Sequence, residues 1–231
     1  AKKSKKVKSE SGGKFDTVAF GVAEMQGRRP YMEDFNTVFQ LSDGKNVFCV
    51  FDGHGGDQAA IYAKENIKEE LEKNIQSESF IADSLIQMNE IMVNQFQDRG
   101  STAVVCCYSP KDHRLFTSNL GDSRAIICRK EKPIQLTTDH KVSEKSEREL
   151  IEKNGGVVTN ERVSGLINLS RTLGDGIVSK FMCKEPFSST LELNIGDRVL
   201  IGCDGIFDFL SNEELNEIVL KSENPEKAAI E

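Results

Sequence analysis

The chain has 231 residues, a length that one folded domain accommodates and that two independent cores would divide thinly. Apolar residues make up 38% and charged residues 29%, which excludes collagen-like and wholly disordered classes. A net charge of −7 argues against a general nucleic-acid surface, because phosphate backbones select basic faces.

Residues 2–8 are lysine-rich with no apolar stretch behind them, so no secretory signal is expected and a cytoplasmic or nuclear location is. Residues 1–15 read as a basic, disordered lead-in or linker and residues 16–231 as the domain. A nuclear signal or nucleic-acid tail is the sharper alternative for the lysines. Residues 17–25 alternate in the manner of a strand, and residues 47–51 form a short apolar run stopped by Asp52-Gly53. These two strands bracket a loop over residues 27–34. Apolar side chains then recur at Ala60, Ala63, Ile67, Leu71 and Ile75, near helical spacing, and residues 79–96 repeat the pattern, so two consecutive helices are expected.

A β-rich block follows, with strands over 102–108, 114–119 and 125–129, which predicts a meander. Residues 143–153 form a charged helix stopped by Asn154-Gly155-Gly156. Residues 198–203 are a second buried strand ended by Asp204-Gly205, and Ser211 with Glu214 three positions on opens another helix with a capping box. Residues 225–231 start a last helix. Strands and helices each come in groups, which favours an α+β sandwich over a regular βαβ succession. No apolar run approaches the ~20 residues of a membrane helix.

The six cysteines, Cys49, Cys106, Cys107, Cys128, Cys183 and Cys203, have no C-x-x-C spacing and read as reduced core residues. With three histidines and no paired His motif, a Cys/His zinc site is not expected. The carboxylates are more informative. Asp52 and Asp204 each sit where a buried strand leaves its sheet, and each is followed by glycine, which lets a backbone carbonyl approach a hard cation beside the carboxylate. Glu33-Asp34 adds oxygen on a neighbouring loop. One Asp-Gly after a strand would be merely a turn, whereas here several acidic strand ends occur together.

The combination Phe51-Asp52-Gly53-His54-Gly55-Gly56 and Cys203-Asp204-Gly205-Ile206-Phe207-Asp208 resembles signatures of the metal-dependent protein phosphatases of type 2C. The run from Met25 through Arg29, Glu33 and Asp34, then Gly121-Asp122-Ser123-Arg124-Ala125 and Leu169-Ser170-Arg171-Thr172-Leu173-Gly174-Asp175, follows in that family's order. The resemblance implies two stacked antiparallel sheets flanked by helices, with a manganese or magnesium pair at one edge and phosphoserine or phosphothreonine in proteins as substrate. Matched by position, Asp52 bridges the metals, Glu33 and the Gly53 carbonyl hold one, and Asp204 holds the other. Asp34 orients metal-bound water, Arg29 binds phosphate and His54 is the general acid. Arg28 is a second arginine beside Arg29.

Asp122 matches a position that holds a weaker third metal in relatives, with a turn carboxylate bonded to Ser123 or Arg124 as the plainer reading. Asp175 and the Ser101-Thr102 pair are read as structural. The resemblance is incomplete in two places: the family's closing Asp-Asn pair is absent before Glu231, so truncation of a longer domain is expected, and the segment over 176–194 is short. An incomplete metal site leaves a pseudophosphatase, acting as an interaction module, as the alternative function. A cysteine-dependent phosphatase is excluded, since no cysteine is followed six positions later by arginine. A monomer is expected.

Overall fold

In the computed structural model, which describes residues 9–231, the elements follow in chain order. Strands β1 (Ser9–Lys14) and β2 (Ala19–Glu24) form a hairpin closed by reciprocal backbone bonds between Phe15 and Val18. Strands β3 (Asp34–Gln40) and β4 (Asn46–His54) pair antiparallel and lead into helices α1 (Gln58–Asn74) and α2 (Phe80–Gln95). Next come β5 (Gly100–Ser101), β6 (Ala103–Ser109), β7 (Arg114–Leu120), β8 (Arg124–Cys128) and β9 (Ile134–Gln135), then helix α3 (Lys145–Lys153). A small hairpin, β10 (Val158–Thr159) and β11 (Arg162–Val163), precedes β12 (Leu173–Gly174) and the single turn α4 (Gly176–Ser179). The chain closes with β13 (Phe187–Glu192), β14 (Arg198–Gly202), α5 (Asp204–Phe207), α6 (Asn212–Lys221) and α7 (Pro225–Ile230).

Strands β12, β5, β4, β6, β7 and β13 form one antiparallel sheet, with β3 also paired to β4, and β14, β8 and β9 form a second. Side-chain alternation along β6 explains how they stack. Ala103, Val105 and Cys107 point with Val47, Cys49 and Phe51 of β4 into a buried cluster with α1 and α2. Val104 and Cys106 point the other way and pack with Ala125 and Ile127 of β8 and with Val199 and Ile201 of β14. On β8, Ile126 and Cys128 turn outward again, onto Phe207 and onto Leu215 and Val219 of α6. Period-two alternation thus builds four layers, helix, sheet, sheet and helix, and the expected α+β sandwich is what the chain forms.

Helix α6 begins as its sequence predicts: Ser211 Oγ accepts from the Glu214 N–H at 3.2 Å, and Glu214 Oε2 accepts from the Ser211 N–H at 2.8 Å. Because this helix covers the outer face of the second sheet, Ser211→Ala is expected to cost about 1 kcal/mol, read as a lowered urea midpoint at unchanged slope.

Three expectations change. The meander over 102–129 breaks after β7, because β8 pairs with β14 and β9 in the second sheet. The corner is fixed by Asn119, whose Nδ2 donates to the carbonyls of Gly121 (3.2 Å) and Thr138 (2.7 Å) and so turns the chain out of the first sheet. Of the lead-in over 1–15, residues 1–8 lie outside the described residues. Ser9–Lys14 is a strand, and β2 supplies the backbone partners that its polar sequence conceals. Strands β3 and β13 also escape the sequence reading; β13 pairs with β7 along its full length from Phe187 to Glu192. No helix is long and apolar enough to cross a membrane among the described residues.

Candidate active site

The β3–β4 register places Asp34 directly opposite Asp52 at the end of the pair. Asp52 is pinned through its backbone. Its N–H donates to Thr102 Oγ1 at 3.1 Å, and its carbonyl accepts from the Thr102 N–H at 2.8 Å and from Ser101 Oγ at 3.2 Å. Thr102 Oγ1 also shares a 2.7 Å hydrogen bond with Ser123 Oγ, which ties Asp52 to the turn carrying Asp122. Ser101 and Thr102 therefore do more than fill a strand. Gly53 donates its N–H to the Glu33 carbonyl at 3.1 Å, and a Cβ at this position would fall 2.7 Å from that oxygen, so only glycine permits the approach.

From the second sheet, β14 ends at Gly202 and delivers Cys203 and Asp204, the latter as the first residue of α5. The Cys203 Sγ–H donates to Asp34 Oδ2 at 3.4 Å, and ligand atoms of Asp34, Asp52 and Cys203 lie within 4.8 Å of one another. The sequence predicts Cys203 to be a reduced core residue like the other cysteines; its place beside Asp204 at a strand end is the signal that separates it from them. Asp204 and Glu33 do not enter that tight group, but the Asp204 charge is felt at Asp34, Asp52 and Asp122. The structure thus gathers four aspartates at the edge of the sandwich and brings Glu33 close through its backbone.

Electrostatics follow from that crowding. Burial, and then the charges of Asp34 and Asp204, push the Asp52 carboxyl well above the usual carboxylate range. Burial also raises Asp34, although the Arg29 guanidinium opposes it. Arg29 is exposed on the loop before β3, and Gln26 Nε2 braces that loop by donating to the Arg29 and Pro30 carbonyls at 2.9 Å each. Arg29 is among the largest influences on Asp34, and its neighbour Arg28 is exposed on the same loop.

Asp122 is 5% exposed and lies 3.3 Å from Lys141 Nζ, which is also 3.3 Å from Asp208. Both of its expected turn partners are engaged elsewhere, Ser123 Oγ with Thr102 Oγ1 and Arg124 in a two-pronged pair with Asp139. Burial raises Asp122, with Lys141 opposing. His54, the last residue of β4, has a side chain 31% exposed and places Nε2 2.8 Å from Asp175 Oδ2.

The family model for protein phosphatase 2C matches residues 18–231. The chain belongs to that family. Among relatives of this phosphatase family, "Probable protein phosphatase 2C 55" of Oryza sativa subsp. japonica is 32% identical across 92% of this chain and 60% of its own length. "Probable protein phosphatase 2C 4" of Paramecium tetraurelia is 32% identical across 93% of this chain and 81% of its own. The chain spans 48% of an Arabidopsis thaliana relative, "Probable protein phosphatase 2C 14", at 33% identity. Among solved structures, a "C.elegans sex determining protein" superposes with a TM-score of 0.79 at 28% identity, over 89% of this chain and 57% of that one. The "serine-threonine phosphatase 2C from Toxoplasma gondii" has a TM-score of 0.73 at 20% identity, over 87% of this chain and 84% of that one, which supports the fold.

Proposed function

We propose that the chain hydrolyses phosphoserine and phosphothreonine esters in proteins, with manganese or magnesium held by its acidic edge. The observation that carries this reading is the meeting of carboxylates from both sheets, Asp34 and Asp52 opposed on β3 and β4 and Asp204 arriving from β14. A turn or packing role would not gather half-buried like charges that repel one another. The donors fit the group, since carboxylate and carbonyl oxygens suit hard divalent cations and, among the described residues, the half-buried Asp34 and Asp52 form no salt bridge that would neutralise them, Arg29 acting on Asp34 only at longer range. Asp52 would be shared by two ions, Glu33 and the Gly53 carbonyl would serve one, and Asp204 the other; Asp122 would serve a third, weaker ion in place of its Lys141 contact.

When bound, such ions supply Lewis acidity to water and phosphoryl oxygens and reverse the negative local field. The chain's own groups do the rest. Asp34 accepts a hydrogen bond from the attacking water and holds it for in-line approach. Arg29 offers a planar fork to two phosphate oxygens. His54 gives a proton to the departing serine or threonine oxygen, so that an alcohol leaves in place of an alkoxide.

With purified protein and a phosphothreonine peptide, turnover is expected to require added manganese, to stop on chelation, and to fall to background in Asp204→Asn. Chelator-resistant hydrolysis would sink the metal reading. Calorimetry separates the pseudophosphatase alternative, which predicts folded protein without manganese uptake.

A further inference from the structure

The structure joins His54 to a residue 121 positions away, and the proton-transfer role proposed above makes the contact consequential. Asp175 Oδ2 lies 2.8 Å from His54 Nε2 and accepts from Thr172 Oγ1 at 2.6 Å. Asp175 is 6% exposed, and among the described residues His54 is its one ion-pair partner. The pair is held by sheet register. His54 on β4 lies opposite Gly100 on β5, and Gly100 lies opposite Gly174 on β12, immediately before Asp175.

The local backbone is strained to keep the carboxylate there. Asp175 adopts the left-handed conformation, φ 50° and ψ 44°, which residues other than glycine take at an energetic cost. Its N–H donates to the Arg99 carbonyl at 2.9 Å and that of Gly176 to the Phe96 carbonyl at 3.0 Å, so backbone bonds lock the turn. At Gly100 a Cβ would fall 2.2 Å from Asp175 Oδ2; the absent side chain is what lets the carboxylate reach the histidine. Helix packing alone explains none of this convergence on one oxygen.

The geometry points to Asp175 as the positioning residue for His54: it holds Nε2–H and turns Nδ1 toward the phosphate ester. This rests on the phosphatase reading. Nδ1 has no protein partner among the described residues, and the ring is partly open to solvent. As the bond from phosphorus to the substrate oxygen breaks, the Nδ1 proton passes to that oxygen and the ring is left neutral, with its remaining proton on Nε2 bonded to Asp175. Solvent then restores the Nδ1 proton. Thr172 fixes the carboxylate's rotation and does not touch substrate.

The test compares two substrates. A phosphothreonine peptide has an alkoxide-like leaving group that needs a proton, whereas 4-nitrophenyl phosphate releases a stable phenolate. Asp175→Asn is expected to lower kcat on the peptide about 10²-fold, the scale of a lost general acid, while the loss on the nitrophenyl ester is much smaller. In a His54→Asn background, Asp175→Asn is expected to add no further loss. In nitrogen-15 spectra of neutral His54, the wild type shows the Nε2–H tautomer and Asp175→Asn a mixture. Equal losses on both substrates, an additive double variant, or an unchanged tautomer would each overturn the assignment. If the wild type hydrolyses neither substrate with manganese, the phosphatase reading fails, and the tautomer measurement still decides whether Asp175 sets the ring.

Discussion

Asp52→Asn is expected to reduce manganese-dependent hydrolysis of a phosphothreonine peptide by about 10³-fold or more, at least the cost of losing a single donor to the transition state. Asp52 is the carboxylate on which the rest of the edge converges. It faces Asp34 across the strand pair, and Asp204 and Asp122 both act on it electrostatically. The amide keeps the side chain's size and leaves untouched the backbone bonds to Ser101 and Thr102 that seat the residue. It removes the negative charge that would attract cations. Folding should not suffer, because burial and neighbouring acids already penalise the ionised carboxylate, and a neutral amide escapes that penalty. The expected signature is therefore lost turnover and manganese uptake at a melting temperature no lower than wild type. Metal-dependent turnover within about tenfold of wild type would exclude Asp52 as the shared ligand.

The second large effect concerns stability. Arg171→Met is expected to cost about 3 kcal/mol, because breaking a buried ion pair leaves its partner uncompensated. Arg171 donates from Nε to Glu147 Oε2 at 2.9 Å, from Nη2 to the other carboxylate oxygen, and from Nη1 to the Glu185 carbonyl at 2.7 Å. Ser170 Oγ completes the Glu147 shell at 2.7 Å, and the two charged side chains are 8% and 16% exposed. The cluster joins α3 to the chain entering β12, so its loss loosens the segment that carries Asp175.

This cluster also sets an acid sensitivity. His140 is 1% exposed, and burial, followed by repulsion from Arg171, pushes it down to about 4. The unfolded chain binds a proton near pH 6.5, so acidification below that point favours unfolding, and stability falls until about pH 4. Glu147 acts in the same direction. Burial would raise it, but the bonds from Arg171 and Ser170 outweigh burial and hold it below its usual range, so its contribution is lost as pH falls through that lowered value. The raised carboxyls of Asp34, Asp52 and Asp122 act in the opposite direction, so the His140 contribution is read as a difference: between about pH 7.5 and about pH 5 the urea midpoint of the wild type should move further toward instability than that of His140→Gln. Equal shifts in the two proteins would contradict the burial of a neutral His140.

Much of this protein is legible locally. Helical spacing at Ala60, Ala63, Ile67 and Leu71 places α1, because residues three and four apart share one face whatever lies opposite it. The capping box at Ser211 and Glu214 works within one turn, and the Asp-Gly steps mark strand ends from adjacent residues alone. Strand β8 shows where that legibility stops. Its alternation fixes which side chains are buried, but pairing with β14 in place of β7 depends on a corner held by Asn119 and Thr138.

The sequence by itself determined the chemical inventory of the site, namely which carboxylates, arginine and histidine stand at strand ends and loops in one order. Only the tertiary structure decided how they are used: Asp34 against Asp52, Cys203 against Asp34, Lys141 between Asp122 and Asp208, and Asp175 behind His54. The physical reason is range. Periodicity, caps and turns act over a few residues, whereas these contacts join segments brought together by strand register and by two sheets closing on one core.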